Sequence, residues 1–145
     1  MDDAEFLERY PRLYHVAWSG AIDSIKRSGL LSAAKVIDLC GASPADRLLL
    51  EGRHRDRMMP LSSKEGQRSL IRDHHPMAEK KLAGLLDDGM IPSDWYRLLD
   101  RHAFFWVSKA RACGMARAYR QLEQVVVVVR TQAVLERCRS SVRLT

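Results

Sequence analysis

Tyr14 and His15 stand side by side in the apolar run Leu13-Tyr14-His15-Val16. A neutral imidazole offers one donor and one acceptor nitrogen, and a phenol ring offers a flat face for stacking. Together they suit a nucleotide, whose hydroxyls and phosphate oxygens lie beside an aromatic base. Downstream, Ile25-Lys26-Arg27-Ser28-Gly29-Leu30-Leu31-Ser32 reads as a helix stopped by Gly29, with a Leu-Leu-Ser exit. Ser32 can bond a ligand or cap the next helix, and capping is the simpler role. Strand alternation sends Tyr14 and His15 to opposite faces, so both cannot line one wall. Core packing is the plainer role for Tyr14.

Other side chains carry weaker chemistry. Trp106 ends the aromatic run Phe104-Phe105-Trp106 and can border a pocket; core packing is its default. Ser108 follows where a helix begins, a place where ligands meet helix N-termini. His74 and His75 suggest a metal, but adjacent histidines on a turn point apart, and no carboxylate or cysteine stands at helical spacing from them. No metal site is therefore assigned. Arg72-Asp73 suits an ion pair fixing a loop. Phosphate-binding glycine loops, the Gly-x-Ser-x-Gly elbow and zinc motifs are missing from the sequence, which argues against P-loop NTPases, α/β-hydrolases and zinc proteases.

These residues need elements to position them. Leu13 to Val16 reads as a first strand after Pro11. Helices are expected over 21–28, 33–40 and 45–50, the last capped by Ser43 with Pro44 in its first turn. Short strands are expected over 57–61 and 66–72, then helices over 77–86 and 95–100. His102 to Val107 reads as an aromatic strand, and Ser108 caps a helix over 109–119. Val125 to Val129, an unbroken valine run, reads as a strand buried on both faces. Thr131 caps a helix over 132–137, and Val142-Arg143-Leu144 opens a further strand. The fold class is α+β, a small mixed sheet with packed helices.

The chain of 145 residues is long enough for one domain. An apolar share of 46% beside 29% charged residues describes a globular chain. No apolar run is long enough to span a bilayer, and the acidic start is unlike a signal peptide, so a cytoplasmic protein with no membrane partner is expected. Cys40, Cys113 and Cys138 form no Cys-x-x-Cys pair and read as free thiols. The net charge of +6 draws phosphate-bearing ligands or simply solvates a face.

The Tyr-His strand, the helix ending Ile-x-x-x-Gly-Leu-Leu-Ser, the aromatic strand with its serine-started helix and the valine strand together resemble the ADP-ribosyltransferase-like fold. The nearest branch holds the DarT-type DNA-modifying toxins and the RNA 2′-phosphotransferases. The whole chain also resembles an uncharacterised bacterial family, through Ile71-Arg72-Asp73, Pro76-Met77, Asp94-Trp95-Tyr96-Arg97-Leu98-Leu99 and Phe104-Phe105-Trp106. The resemblance implies NAD as substrate, bound by His15, Tyr14, Ser32, Arg53, Trp106 and Ser108. Arg53, Arg55 and Arg57 lie where related enzymes carry a pyrophosphate-facing arginine, and Arg53 is the choice among them. It also implies ADP-ribose transfer, with nucleic acid as an acceptor that the basic surface suits, in a toxin–antitoxin setting. The transferases place a catalytic glutamate on a strand after the buried one. Glu123 and Glu136 do not match that position, and the chain reads as a single domain over 1–145 shortened at its C-terminus. The alternative is a non-catalytic nucleotide- or nucleic-acid-binding module on the same scaffold.

Overall fold

The computed structural model describes residues 2–74, 78–87 and 89–144. In chain order the elements begin α1 (Asp3–Arg9), β1 (Arg12–Trp18), α2 (Ile22–Ser28), α3 (Ala33–Leu39), α4 (Pro44–Glu51), β2 (Met59–Ser62) and β3 (Arg68–Ile71). They continue α5 (Glu79–Ala83), α6 (Pro92–Asp100), α7 (Lys109–Ala118), β4 (Gln124–Arg130) and α8 (Thr131–Cys138). The chain divides into two compact units, Met1–Ser19 with Phe104–Thr145, and Gly20–Ala103. The fold is mixed α and β, with small antiparallel sheets and several packed helices. No helix among the described residues is long and apolar enough to cross a membrane.

In the first unit, β1 and β4 pair antiparallel from Arg12 opposite Arg130 to Trp18 opposite Gln124. Helix α7 packs on both strands. The aromatic segment does not form the expected strand. Its one bridge exchanges Tyr14 N–H to the Trp106 carbonyl at 2.9 Å and Trp106 N–H to the Tyr14 carbonyl at 2.8 Å. Ser108 then turns the chain into α7, accepting from the Arg111 N–H at 3.4 Å, which leaves no length for a second bridge. The valine strand is not buried on both faces either: Val128 is 51% exposed. A pair of strands with one helix packed on it lacks the second layer that such burial needs. Thr131 is fully buried and opens α8 itself rather than capping it; its hydroxyl donates to the Tyr10 carbonyl. Residues 142–144 are not in a strand.

The second unit carries its own hairpin, β2 with β3, from Met59 opposite Ile71 to Ser62 opposite Arg68. Among the described residues, the single mixed sheet expected from the sequence is instead two two-stranded sheets. Pro60 sits in β2 without an N–H, as edge strands tolerate. Short-range signals set the helices here. Ser32 accepts from Lys35 N–H at 3.3 Å and so caps α3, and Ser43 accepts from Asp46 N–H at 3.2 Å and caps α4. Gly29 stops α2 at φ 80°, a backbone region that glycine enters without strain. Ile37, Ile71, Leu82 and Tyr96 form the buried centre. The helix expected from Met77 is present from Glu79; Met77 itself lies outside the described residues.

Candidate functional site

In the first unit, β1 fixes His15 by its register, opposite Val127. The His15 Nδ1 lies 2.8 Å from the Phe104 carbonyl oxygen. A carbonyl only accepts, so Nδ1 carries the proton and the neutral ring has its lone pair at Nε2. The half-buried ring is also held by Phe105, with centroids 5.7 Å apart at a 57° tilt. Tyr14 takes the other face of β1, paired with Val128. Its backbone bridge to Trp106 draws the aromatic segment against the strand. Tyr14, His15, Trp106 and Ser108 therefore belong to one unit, with Ser108 engaged as the α7 cap.

Ser32 and Arg53 belong to the other unit. Ser32 is the α3 cap. Arg53 is exposed just past α4, as is Arg57. Arg55 between them is buried and committed. Its guanidinium forks onto Asp100, Nη1 to Oδ2 and Nη2 to Oδ1, each at 2.6 Å. Nε donates to the Arg72 carbonyl at 2.8 Å, and Nη1 also donates to the Leu50 carbonyl. One side chain thus ties the end of α4, the exit of β3 and the end of α6. An arginine so used has no fork left for a pyrophosphate.

His74 completes this centre. Its Nδ1 accepts the Arg55 backbone N–H at 2.9 Å, while its own backbone N–H donates to the Arg55 carbonyl at 2.9 Å. The His74 ring stacks on Tyr96 with centroids 4.5 Å apart at 20°, and His54 meets Tyr96 edge-on at 5.9 Å. His74 Nε2 stands 3.9 Å from Asp100 Oδ1, too far for a hydrogen bond. Burial alone would raise the Asp100 carboxyl; the Arg55 hydrogen bonds, with His74 and the guanidinium charge, outweigh it and hold the group below its ordinary range. Burial, and then the Glu79 carboxylate, pushes the Tyr96 phenol up. His75 lies outside the described residues. Among the described residues, no group of three histidine, cysteine or carboxylate side chains is placed to hold a metal ion.

Sequence reasoning missed Asp100 and the roles of His54 and Tyr96. Asp100 stands at the end of a helix, 45 positions from Arg55, and nothing local marks it as a partner. A hollow of about 200 Å³ lined by Leu39, Ser63, Lys64, Glu65 and Gln67 opens in this unit. No candidate residue lines it.

Residues 11–145 match the model of a family described as "Family of unknown function (DUF7002)", and the chain belongs to that family. No curated protein and no solved structure matches it.

Proposed function

For a member of this family, we propose a nucleotide-binding domain on an ADP-ribosyltransferase-like scaffold, with NAD as the substrate held at His15. The observation that carries the reading is the seat of His15, half-buried on β1 with its Nδ1 2.8 Å from the Phe104 carbonyl oxygen. An imidazole is a side chain able to hydrogen-bond a ribose hydroxyl or a phosphate oxygen. Tyr14, Trp106 and Ser108 belong to the same unit as His15. In the transfer, the nicotinamide–ribose bond breaks, nicotinamide leaves with the electron pair, and an acceptor attacks the oxocarbenium-like ribose as its proton departs. Nucleic acid is the acceptor that the net charge of +6 suits. Such chemistry gains most from orientation and from a carboxylate facing the developing positive charge.

A second reading, binding without transfer, is favoured by the carboxylates beside β4. Glu123 accepts the Ser19 hydroxyl at 2.9 Å, and Glu136 accepts the Gln132 amide at 2.8 Å on α8. Both are engaged in local structure. Calorimetry with NAD and a nicotinamide-release assay on the same sample separate the readings. Binding with release supports the transferase, binding alone supports the module, and neither overturns both.

A further inference from the structure

We propose that the outward face of α7 seats the phosphodiester backbone of a nucleic acid, with Arg111 and Arg117 gripping phosphates on either side of Gly114. This goes beyond the nucleotide site at His15 and stands whether or not NAD binds. It begins from two ways in which α7 is built against its own stability. Lys109 and Arg111 occupy the first turn, and that turn holds no acidic residue. Cations there oppose the partial positive charge of the helix N-terminus. Gly114 sits in the middle of the helix, where glycine is less favourable than alanine.

Neither choice is explained by the fold. A Cβ at Gly114 would meet nothing within 4 Å, so no packing demands glycine. Gly114 is not among the glycines with positive φ, so the backbone does not demand it either. Lys109, Arg111, Arg117 and Arg120 are all exposed. None of them takes part in the ion pairs of the described residues, which fall on Arg47, Arg55, His74, Arg97 and Arg139. From Lys109 to Leu122 the sequence has these four cations and no carboxylate. Local rules broken without a structural return mark functional surface.

The helical geometry makes a seat of these residues. Arg111 and Arg117 each lie three positions from Gly114, about 60° to either side of it and about 9 Å apart along the axis. Ala110 and Ala118, also exposed, extend the low floor between them. The opposite side, with Ala112 fully buried, faces the unit's core. A floor without side chains lets a polymer backbone come close, and flanking guanidiniums match paired phosphate oxygens. The ligand class is a polyanion with regularly spaced phosphates.

The test is fluorescence anisotropy of a labelled 20-base-pair DNA duplex with the full chain across a salt series. Binding should weaken with salt, and R111Q/R117Q should lower affinity about tenfold or more and reduce the salt slope by about two. G114Q should weaken binding with the fold intact by circular dichroism. G114A should raise the melting temperature by a few degrees. R137Q, on α8, should leave the affinity within about twofold, as for a cation outside the seat. No binding at low salt, equal affinity of R111Q/R117Q and parent, or an equal loss in R137Q would each overturn the proposal. So would binding to phosphatidylserine vesicles, but not DNA, that R111Q/R117Q abolishes.

Discussion

His15 and His74 are the same side chain put to opposite uses in the two units. His15 donates from Nδ1 to a carbonyl, while His74 accepts at Nδ1 from a backbone N–H. The first ring is half-buried on a strand and tilted against Phe105. The second is buried in a stack, its lone pair spent on the Arg55 loop. In each ring one backbone neighbour sets which nitrogen carries the proton. The arginines repeat the contrast. Arg55 has every nitrogen engaged inside the second unit, whereas Arg111 and Arg117 stand exposed on α7.

The sharpest break of this contrast lies at Asp100. Asp100→Ala leaves the Arg55 guanidinium buried without its carboxylate and should cost about 3–5 kcal/mol in urea unfolding, with the second unit losing structure. Replacing both charges, Arg55→Met with Asp100→Leu, should cost far less. His74→Ala strands the Arg55 N–H and should cost about 1–3 kcal/mol. His15→Ala removes the hydrogen bond to the Phe104 carbonyl and the ring contact with Phe105, and should cost about 0.5–1.5 kcal/mol.

Acid provides a further separation. The Asp100 carboxyl is held below its ordinary value near 3.8 in the folded protein. Its stabilisation is therefore fully present above that value and is lost as pH falls through it towards the lowered one. The urea midpoint should drop below about pH 4 in the parent, and the Arg55→Met, Asp100→Leu variant should show a flatter acid limb. A smaller effect, in nitrogen NMR shifts, should find the proton on Nδ1 of His15 and on Nε2 of His74.

Much of the local architecture was legible in the sequence, because its causes are local. Ser32, Ser43 and Ser108 cap helices through bonds three residues long, and Gly29 ends one by its backbone freedom. The β1 and β4 strands follow from their apolar runs. What was hidden depends on distance in the chain. Arg53, Arg55 and Arg57 look alike in sequence; only Asp100, brought in by α6, distinguishes Arg55. The aromatic run reads as a strand by composition, yet the turn at Ser108 confines it to a single bridge. The sheet divides into two because pairing partners are chosen by tertiary contacts, which residue preference does not encode.

The most direct test of the account is calorimetric titration of NAD into the parent and His15→Ala proteins, with their melting temperatures measured alongside. The expected result is saturable binding to the parent and its loss in a variant that still melts within a few degrees of it. No heat from the parent, or the same affinity in His15→Ala, would contradict the account.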